Sequence, residues 1–555
     1  GEAMAAANGV ITAALSSAVS RRSRMRYLLL LPLVSATPLC RDNHEQCFFW
    51  AQVGECETAQ GFMLATCAAA CSHCDIGTAD GDDEAEEDPH VRPTLIGQHV
   101  ISLGQGSAEP IPFPLRHHDP IIALEAGELH LIMLMQSGLV MTFGDDSMGQ
   151  LGHPRIARAT PVTRRQPRPV LWPAPLTQRH ARAVSAGRMY SGALLVDGTF
   201  VAWGDNTHSQ CGVPAEMTPM DSAPLELEAL SLIVAVPMKV PFAKPLKAIS
   251  LGEVHSLVLT TDGEVWAIGD GSFGAACNVT ADAAAGDEVF TRCDLGLEEG
   301  ESVSSIAAGA FHSIVTTSLG RVLTWGDNTH GQLGPGRKRG YVYNMLQEAQ
   351  AGAASDEDLR EEIESAVVIG EMNLPLIHAE GVSALRTRSF HTAALTDQGR
   401  LLMWGDNAYG QLGSEPRNTS AVGDSEMALP LGPHQDFFAQ SVALGEFHTL
   451  AIDNGSRLFS FGLNTRHELH RIPGAQWDSL PSAVSLPLSE GERLELLTAG
   501  AHFGAITSSD GHLYIWGEQP LVADTRHRAN RDSRVDEAGG GAWGAVGAGA
   551  AAAAA

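Results

Sequence analysis

Residues 389–413 read SFHTAALTDQGRLLMWGDNAYGQLG, and this stretch decides the fold. A run of small and apolar residues follows His391, a turn containing Gly399 comes next, and a second apolar run ends at Trp404 and Gly405. Two such runs separated by a glycine-containing turn predict a β-hairpin. The Gly-Asp-Asn that begins at Gly405 is a turn sequence, because glycine and asparagine tolerate left-handed backbone better than other residues do.

Seven copies of this unit follow one another, and each ends in a hydrophobic residue followed by glycine. These pairs are Phe143-Gly144, Trp203-Gly204, Ile268-Gly269, Trp325-Gly326, Trp404-Gly405, Phe461-Gly462 and Trp516-Gly517. Fourteen residues before these glycines stand His130, Tyr190, His255, His312, His391, His448 and Phe503. Three residues earlier still, six copies have glycine and the fifth has Arg388. The glycines of successive copies lie 60, 65, 57, 79, 57 and 55 residues apart, which predicts a repeat architecture.

Each copy has room for one small antiparallel sheet, which cannot bury both of its faces alone. Packing several such sheets radially buries those faces, so the sequence predicts an all-β protein with the architecture of a seven-bladed β-propeller. The segment His99–Gly104 resembles an extra strand ahead of the first copy. We expect it to pair with the last blade near Leu513–Trp516 and to close the ring, leaving no free sheet edge.

The repeated motifs are Gly-x-x-His-Ser/Thr, Asp-Gly, Trp-Gly-Asp-Asn and Gly-Gln-Leu-Gly. Together they closely resemble the repeat of the regulator of chromosome condensation family. The resemblance covers about residues 98–520, and it implies a seven-bladed propeller.

A cystine-rich segment precedes the repeats, because six of the nine cysteines are Cys40, Cys47, Cys56, Cys67, Cys71 and Cys74. So short a unit cannot bury enough apolar surface to fold without cross-links. Sequence physics leaves all 15 pairings open. Reduced thiolates holding zinc are the alternative interpretation, which an oxidising compartment would disfavour.

The spacing of these cysteines, together with Trp50-Ala51 and Phe62-Met63, resembles the ShK-toxin (ShKT) domain over residues 40–74. The resemblance implies the pairs Cys40–Cys74, Cys47–Cys67 and Cys56–Cys71. Some toxin members block potassium channels through a Lys-Tyr pair ahead of the fourth cysteine. The matching positions here are Gly61-Phe62, so channel block is not expected.

Other segments complete the predicted domain organisation. Residues 1–36 form a signal-peptide region, with a basic start at Met25, a short apolar run and a cleavage point near Ala36. Residues 75–97 form an acidic linker, in which a calcium loop is disfavoured because the ligand spacing is out of register. Residues 521–555 form a disordered, low-complexity tail. The long fourth spacing carries an insertion at 341–368 that predicts an acidic surface helix.

Charge and composition limit the classes of partner. Acidic residues outnumber basic ones 65 to 36, for a formal net charge of −29, so the chain would repel a phosphate backbone. No apolar stretch reaches the length of a membrane span. We therefore expect a monomer that binds one or more protein partners, with no nucleic acid and no membrane span.

We expect no catalytic residue, metal site or cofactor. The aligned histidines His130, His255, His312, His391 and His448 recur once per blade, which predicts a structural role, as do Trp203, Trp325, Trp404 and Trp516. Cys277 and Cys293 are a candidate disulfide within one blade connection, leaving Cys211 buried and free. Candidate glycosylation sites are Asn278, Asn418 and Asn454, each in an Asn-x-Ser/Thr sequon.

Three functions compete at this point. The favoured one is a non-catalytic protein-interaction scaffold, secreted or in the lumen of the secretory pathway, which combines the propeller with a ShKT binding module. The second is guanine-nucleotide exchange on a small GTPase of the Ran type, as the resemblance to the founding family implies. The third is an accessory part of an extracellular enzyme system. Reduced cysteines in a cytosolic protein would favour the second, and a reactive residue pair in one pocket would favour the third.

Overall fold

The computed structural model describes residues 99–104, 107–112, 119–153, 167–170, 180–214, 233–269, 274–277, 289–334, 369–377, 380–416, 437–471 and 475–518, with 172, 176 and 271. The signal-peptide region, the ShKT segment, the acidic linker, the 341–368 insertion and the C-terminal tail predicted above lie outside these residues.

The described residues form 28 strands and no helix. In chain order the strands are β1 (His99–Gly104), β2 (Ser107–Pro112), β3 (Ile121–Ala126), β4 (His130–Met135), β5 (Val140–Gly144), β6 (Arg168–Pro169), β7 (Ala181–Ala186), β8 (Tyr190–Leu195), β9 (Phe200–Asp205), β10 (Ile233–Lys239), β11 (Leu246–Leu251), β12 (His255–Thr260), β13 (Val265–Gly269), β14 (Phe290–Arg292), β15 (Val303–Ala308), β16 (His312–Thr317), β17 (Val322–Gly326), β18 (Gly370–Met372), β19 (Val382–Arg388), β20 (His391–Thr396), β21 (Leu401–Gly405), β22 (Ala439–Leu444), β23 (His448–Asp453), β24 (Leu458–Leu463), β25 (Trp477–Val484), β26 (Leu494–Ala499), β27 (Phe503–Ser508) and β28 (Leu513–Gly517).

These strands make seven sheets, each built on an antiparallel meander whose first strand lines a central channel. Blades 1 to 4 are β3–β6, β7–β10, β11–β14 and β15–β18, blade 5 is β19–β21, and blade 6 is β22–β25. Blade 7 is β26–β28, with β1 and β2 added beyond β28. The prediction of an all-β, seven-bladed propeller is confirmed.

The ring is closed by the N-terminal strands. β1 runs parallel to β28, with Val100 opposite Leu513 and Leu103 opposite Trp516, and β2 pairs antiparallel with β1. This is the pairing that the sequence predicts for His99–Gly104. An early segment and the last repeat therefore share one sheet, which ties the two ends of the repeat array together.

The second strand of every blade is buried along its whole length. Neighbouring blades cover both of its faces, so its side chains are small or apolar at nearly every position rather than alternating. The largest buried cluster contains residues of the first three blades, including Ile132, Leu194 and Val258. The core thus lies between blades, and each sheet depends on its neighbours for stability.

The aligned histidines lie at the boundaries between blades. His130 begins the second strand of blade 1, and its Nε2 lies 3.0 Å from the Ser191 hydroxyl of blade 2. That hydroxyl donates to the main-chain carbonyl of Gln150 in blade 1, at 2.9 Å. Since the hydroxyl proton points to the carbonyl, His130 must donate from Nε2. The equivalent contacts are His255 to Ser313, His312 to Thr392 and His391 to Thr449.

Three blades lack this contact. In blade 6, His448 has no hydroxyl to contact, because the residue of blade 7 equivalent to Ser191 is Gly504. The Nε2 atom of His448 is buried without a hydrogen-bond partner among the described residues.

Blades 2 and 7 replace the histidine itself. In blade 2, Tyr190 takes the histidine position, and its longer side chain reaches the His255 carbonyl and the Ser256 hydroxyl at 2.8 and 2.9 Å. In blade 7, Phe503 takes that position, and the facing residue of blade 1 is Leu131 rather than serine or threonine, both fully buried. The hydrogen-bonding pair is thus replaced by an apolar pair.

The tryptophans reinforce the same boundaries. Trp203 donates from Nε1 to the Gln150 carbonyl at 3.0 Å, so one carbonyl of blade 1 accepts two hydrogen bonds from blade 2. Trp325, Trp404 and Trp516 donate in the same way to the carbonyls of Ala275, Gln332 and Glu468. All four indoles are fully buried, where an unmatched N–H would be costly.

A chain that begins at residue 113 lacks β1 and β2 and should melt several degrees below one that begins at residue 90. Its β28 would become an exposed edge, which invites pairing with another chain. Differential scanning calorimetry and size-exclusion chromatography would measure both effects. Equal melting temperatures for the two chains would show that β1 does not hold the ring together.

Burial lowers the pKa of His130, His312 and His391 to about 3 and that of His448 to about 4. These side chains stay neutral in the folded protein but take up protons in the unfolded chain below about 6.5, the ordinary value. Stability should therefore be complete above pH 6.5 and fall as the pH drops toward 4.

Replacing His130 by glutamine, which keeps a neutral donor, should reduce the pH slope of the unfolding free energy by about 1.4 kcal/mol per pH unit between pH 6 and 4. Urea unfolding of both proteins, each referred to its own value at pH 8, measures the slope. An unchanged slope would mean that His130 titrates normally in the folded state.

Candidate functional site

Seven loops of similar sequence gather at one end of the central channel. In each blade the Gly-x-x-His segment joins the end of the first strand to the start of the second. The third strand ends at the same edge of the sheet, since its last residue pairs with the first residue of the second strand, as Gly144 does with His130. We call this end of the channel the Gly-x-x-His mouth. The opposite end, near the turns that join second and third strands, is the hairpin mouth.

A ring of main-chain hydrogen bonds connects the loops of the Gly-x-x-His mouth. The bonds run from the amides of Glu128, Arg188, Glu253, Ala310, Glu446 and Ala501 to the carbonyls of Arg188, Gly252, Gly309, Ser389, Ala501 and Glu128, at 2.7 to 3.2 Å. They join six of the seven neighbouring pairs of blades. The loops are therefore held by their neighbours, and the backbone around the mouth is fixed.

Four residues of this ring, Glu128, Arg188, Glu253 and Glu446, have charged side chains. Arg188 donates from Nε to Glu128 at 3.0 Å, and its Nη1 lies 3.6 Å from Glu253. Burial alone would lower the pKa of Arg188, but Glu253 and Glu128 raise that pKa above its ordinary value. Burial raises the pKa of Glu446, and His502, whose Nε2 lies 3.6 Å away, partly offsets this. Blades 1, 2, 3 and 6 thus place alternating charges around the opening.

A collar of larger side chains surrounds the charged ring. It consists of the residue just before the aligned position in each copy: Leu129, Met189, Val254, Phe311, Phe390, Phe447 and His502. All except the buried Val254 are partly exposed. Phe390 contacts Phe311 at 5.9 Å and His330 at 4.5 Å between ring centroids, and Phe447 contacts Tyr409 at 5.3 Å. Partly exposed aromatic side chains fixed on a rigid backbone suit protein recognition.

Two long connections within blades start from the same face. β9 and β10 are antiparallel, as are β17 and β18, so the chain between each pair leaves and returns beside the Gly-x-x-His mouth. The predicted insertion at 341–368 belongs to the second of these connections, and its own conformation lies outside the described residues.

The structure does not bring the aligned histidines together. Each lies at a different blade boundary, and four of the five have their own hydroxyl partner, as His130 and His312 show. In the part of the chain that the structure describes, no group of three or more His, Cys, Asp or Glu side chains is arranged to hold a metal ion. No helix among those residues is long and apolar enough to cross a membrane.

The cysteines and sequons fall partly within the described residues. Cys277 and Cys293 form a disulfide, with their Cα atoms 5.3 Å apart. Cys211 is a free, buried thiol whose pKa burial raises well above its ordinary value. Asn454 is exposed in a hairpin turn of blade 6. The remaining residues, Cys40, Cys47, Cys56, Cys67, Cys71, Cys74, Asn278 and Asn418, lie outside the described part.

The sequence interpretation missed the collar and one buried acid. The residue before each aligned position is hydrophobic in six of seven copies, so comparing the copies at that position would have indicated a shared surface. Glu468 replaces the glutamine of Gly-Gln-Leu-Gly in blade 6, and its Oε1 lies 3.3 Å from His502 Nδ1. Only the fold shows that this acid meets a histidine of the next blade.

Two family models match this chain, one in the repeats and one in the cystine-rich segment. The model of the regulator of chromosome condensation (RCC1) repeat matches residues 246–275, 303–332 and 389–411. The ShK domain-like model matches residues 39–74.

The chain is also similar to curated proteins. It is 26% identical over 347 residues to the human probable E3 ubiquitin-protein ligase HERC6, a match that covers 62% of this chain and 28% of HERC6. It is 25% identical over 410 residues to the ultraviolet-B receptor UVR8 of Arabidopsis thaliana, covering 71% of this chain and 78% of UVR8. The chain thus spans under a third of HERC6 and most of UVR8.

Solved structures share the fold. Yeast RCC1 (Prp20) in its complex with Kap60 superposes with a TM-score of 0.56 at 19% identity, covering 78% of this chain and 86% of that one. Human WBSCR16 superposes with a TM-score of 0.50 at 20% identity, covering 72% and 92%. The chain is therefore a seven-bladed β-propeller that contains regulator of chromosome condensation repeats and, ahead of them, a ShK domain-like segment.

Proposed function

We propose that this protein is a secreted or lumenal, non-catalytic scaffold that binds a protein partner through the Gly-x-x-His mouth. The observation that carries this proposal is the collar of partly exposed aromatic side chains, including Phe311, Phe390 and Phe447, around a charged ring on a hydrogen-bonded backbone. Protein interfaces combine such an apolar and aromatic zone with polar groups, and a backbone that is already ordered loses little entropy on binding.

The compartment is supported by the sequence. The apolar run after Met25 and the clustered cysteines at 40–74 both favour the secretory pathway. The ShK domain-like segment would then serve as a second, disulfide-stabilised binding unit joined to the propeller by the acidic linker. The large negative charge opposes binding to nucleic acid.

Expression of the chain from Met25 in a eukaryotic host tests the compartment. We expect protein in the medium, cleaved near Ala36, with Cys211 as its one titratable thiol. Because Cys211 is buried, that thiol should react only after denaturation. Mass spectrometry and thiol labelling provide the measurements. Uncleaved, reduced protein in the cytosol or nucleus would contradict the proposal, and a nucleotide-release assay on small GTPases would follow.

Exchanging Phe390 and Phe447 for alanine tests the binding face. We expect recovery of the partner by cross-linking in the medium to fall at least tenfold, because truncating central aromatic residues of an interface commonly costs about 2 kcal/mol or more each. The matched control exchanges Val196 and Leu319, which are 67% and 59% exposed in turns near the hairpin mouth. Loss of the partner in the control but not in the phenylalanine variant would place the interface elsewhere.

A further inference from the structure

The central channel contains charges that the blade contacts do not use. It encloses about 460 Å³ and is lined by the first strands of the blades. Two residues before the Gly-x-x-His glycine, the seven blades contribute Glu125, Ser185, Ser250, Ala307, Arg386, Ala443 and Thr498. Ser185 and Ser250 accept hydrogen bonds from main-chain amides of the adjoining first strands. The charged residues at this level are Glu125 and Arg386.

Arg388 adds a second guanidinium to the channel. It replaces the glycine that the other six copies have at this position, and its Nη1 donates to the Ala126 carbonyl of blade 1 at 2.7 Å. Arg386 donates from Nη1 to the Leu385 carbonyl at 3.0 Å. Among the residues that the structure describes, neither guanidinium forms an ion pair. Each retains N–H groups beyond the single hydrogen bond described for it.

The charges in the channel act on one another. Glu125 faces the guanidiniums of Arg386 and Arg388, which remain protonated under all ordinary conditions, and Arg388 is also attracted by Glu253, Glu446 and Glu128 at the Gly-x-x-His mouth. Burial raises the pKa of Glu125, against the opposing influence of Arg386 and Arg388, and burial lowers the pKa of Arg388. Glu125 and Arg388 are therefore poorly solvated, whereas Arg386 is exposed. An added anion would accept hydrogen bonds from the N–H groups that both guanidiniums retain, and the planar guanidinium suits the paired oxygens of a carboxylate or phosphate.

Charged side chains surround both mouths. Around the Gly-x-x-His mouth, Glu128, Glu253 and Glu446 outnumber Arg188. At the hairpin mouth, the second residue of each first strand is exposed, and these residues are Ile122, Arg182, Lys247, Ser304, Ser383, Gln440 and Glu495. Two cations and one carboxylate stand on the channel wall there, and the exposed turns around this mouth add Asp197, Asp262, Asp397 and Asp510.

We propose that the channel binds a small oxyanion, a carboxylate- or phosphate-bearing molecule, which is held by the free N–H groups of Arg386 and Arg388. A volume of about 460 Å³ is within the usual size of small-molecule sites. This site is separate from the collar proposed to bind protein, so either can exist without the other.

Calorimetric titration of the full chain with sodium phosphate and with sodium citrate, at constant ionic strength, tests the proposal. We expect saturable binding of one molecule of at least one of these probes. Arg386→Gln should weaken it at least tenfold. Glu125→Gln should strengthen it several-fold, because it removes a repulsive charge. The matched control is Arg292→Gln, on the outer strand β14 with a 64% exposed side chain, which should leave affinity unchanged.

The opposite effects expected for Arg386→Gln and Glu125→Gln separate a binding site from general destabilisation, which would weaken binding in both. Preference for phosphate or citrate identifies the class of natural ligand, and either one supports an oxyanion site. Absence of binding by both probes, full affinity in Arg386→Gln, or weaker binding in Glu125→Gln would overturn the proposal.

Discussion

At six of the seven blade boundaries, one main-chain carbonyl accepts hydrogen bonds from side chains of the next blade, and the rest of the structure depends on this contact. The Gln150 carbonyl illustrates it, since both Ser191 and Trp203 donate to that group. A sheet of three or four strands has two apolar faces and cannot stand alone in water, so packing between blades supplies the stability. The polar contacts fix how each blade meets the next, because a buried donor without a partner would be costly.

This constraint also explains why the Gly-x-x-His mouth suits recognition. The histidine that contacts the next blade follows directly after the collar residue, and the glycine that starts the loop leaves space for the histidine ring. At Gly309, for example, a Cβ atom would lie 2.2 Å from the His312 ring. The sequence that joins the blades therefore also positions the exposed side chains. The collar residue can therefore vary from copy to copy, as Met189 and Phe390 do, and this changes the exposed surface without disturbing the contact between blades.

Much of the fold could be predicted because it is repeated. The spacing from His391 to Gly405 recurs in every copy, so local turns and strands could be identified seven times over. The pairing of His99–Gly104 with the last blade followed from the need to cover an edge. The channel charges could not be predicted, because Glu125 and Arg386 are 261 residues apart and meet only when the ring closes. Nor does the sequence alone show that Phe503 and Leu131 meet at one blade boundary, where they replace the histidine and the hydroxyl residue of the other boundaries.

The central claim is that the loops around the mouth form one rigid ring, and native-state hydrogen exchange tests it most directly. The amides of Glu128, Arg188, Glu253, Ala310, Glu446 and Ala501 lie in loops, yet each donates across a blade boundary. They should exchange slowly and at similar rates, close to those of the buried second strands. Exchange as fast as that of the exposed hairpin turn at Asp197 would contradict the account.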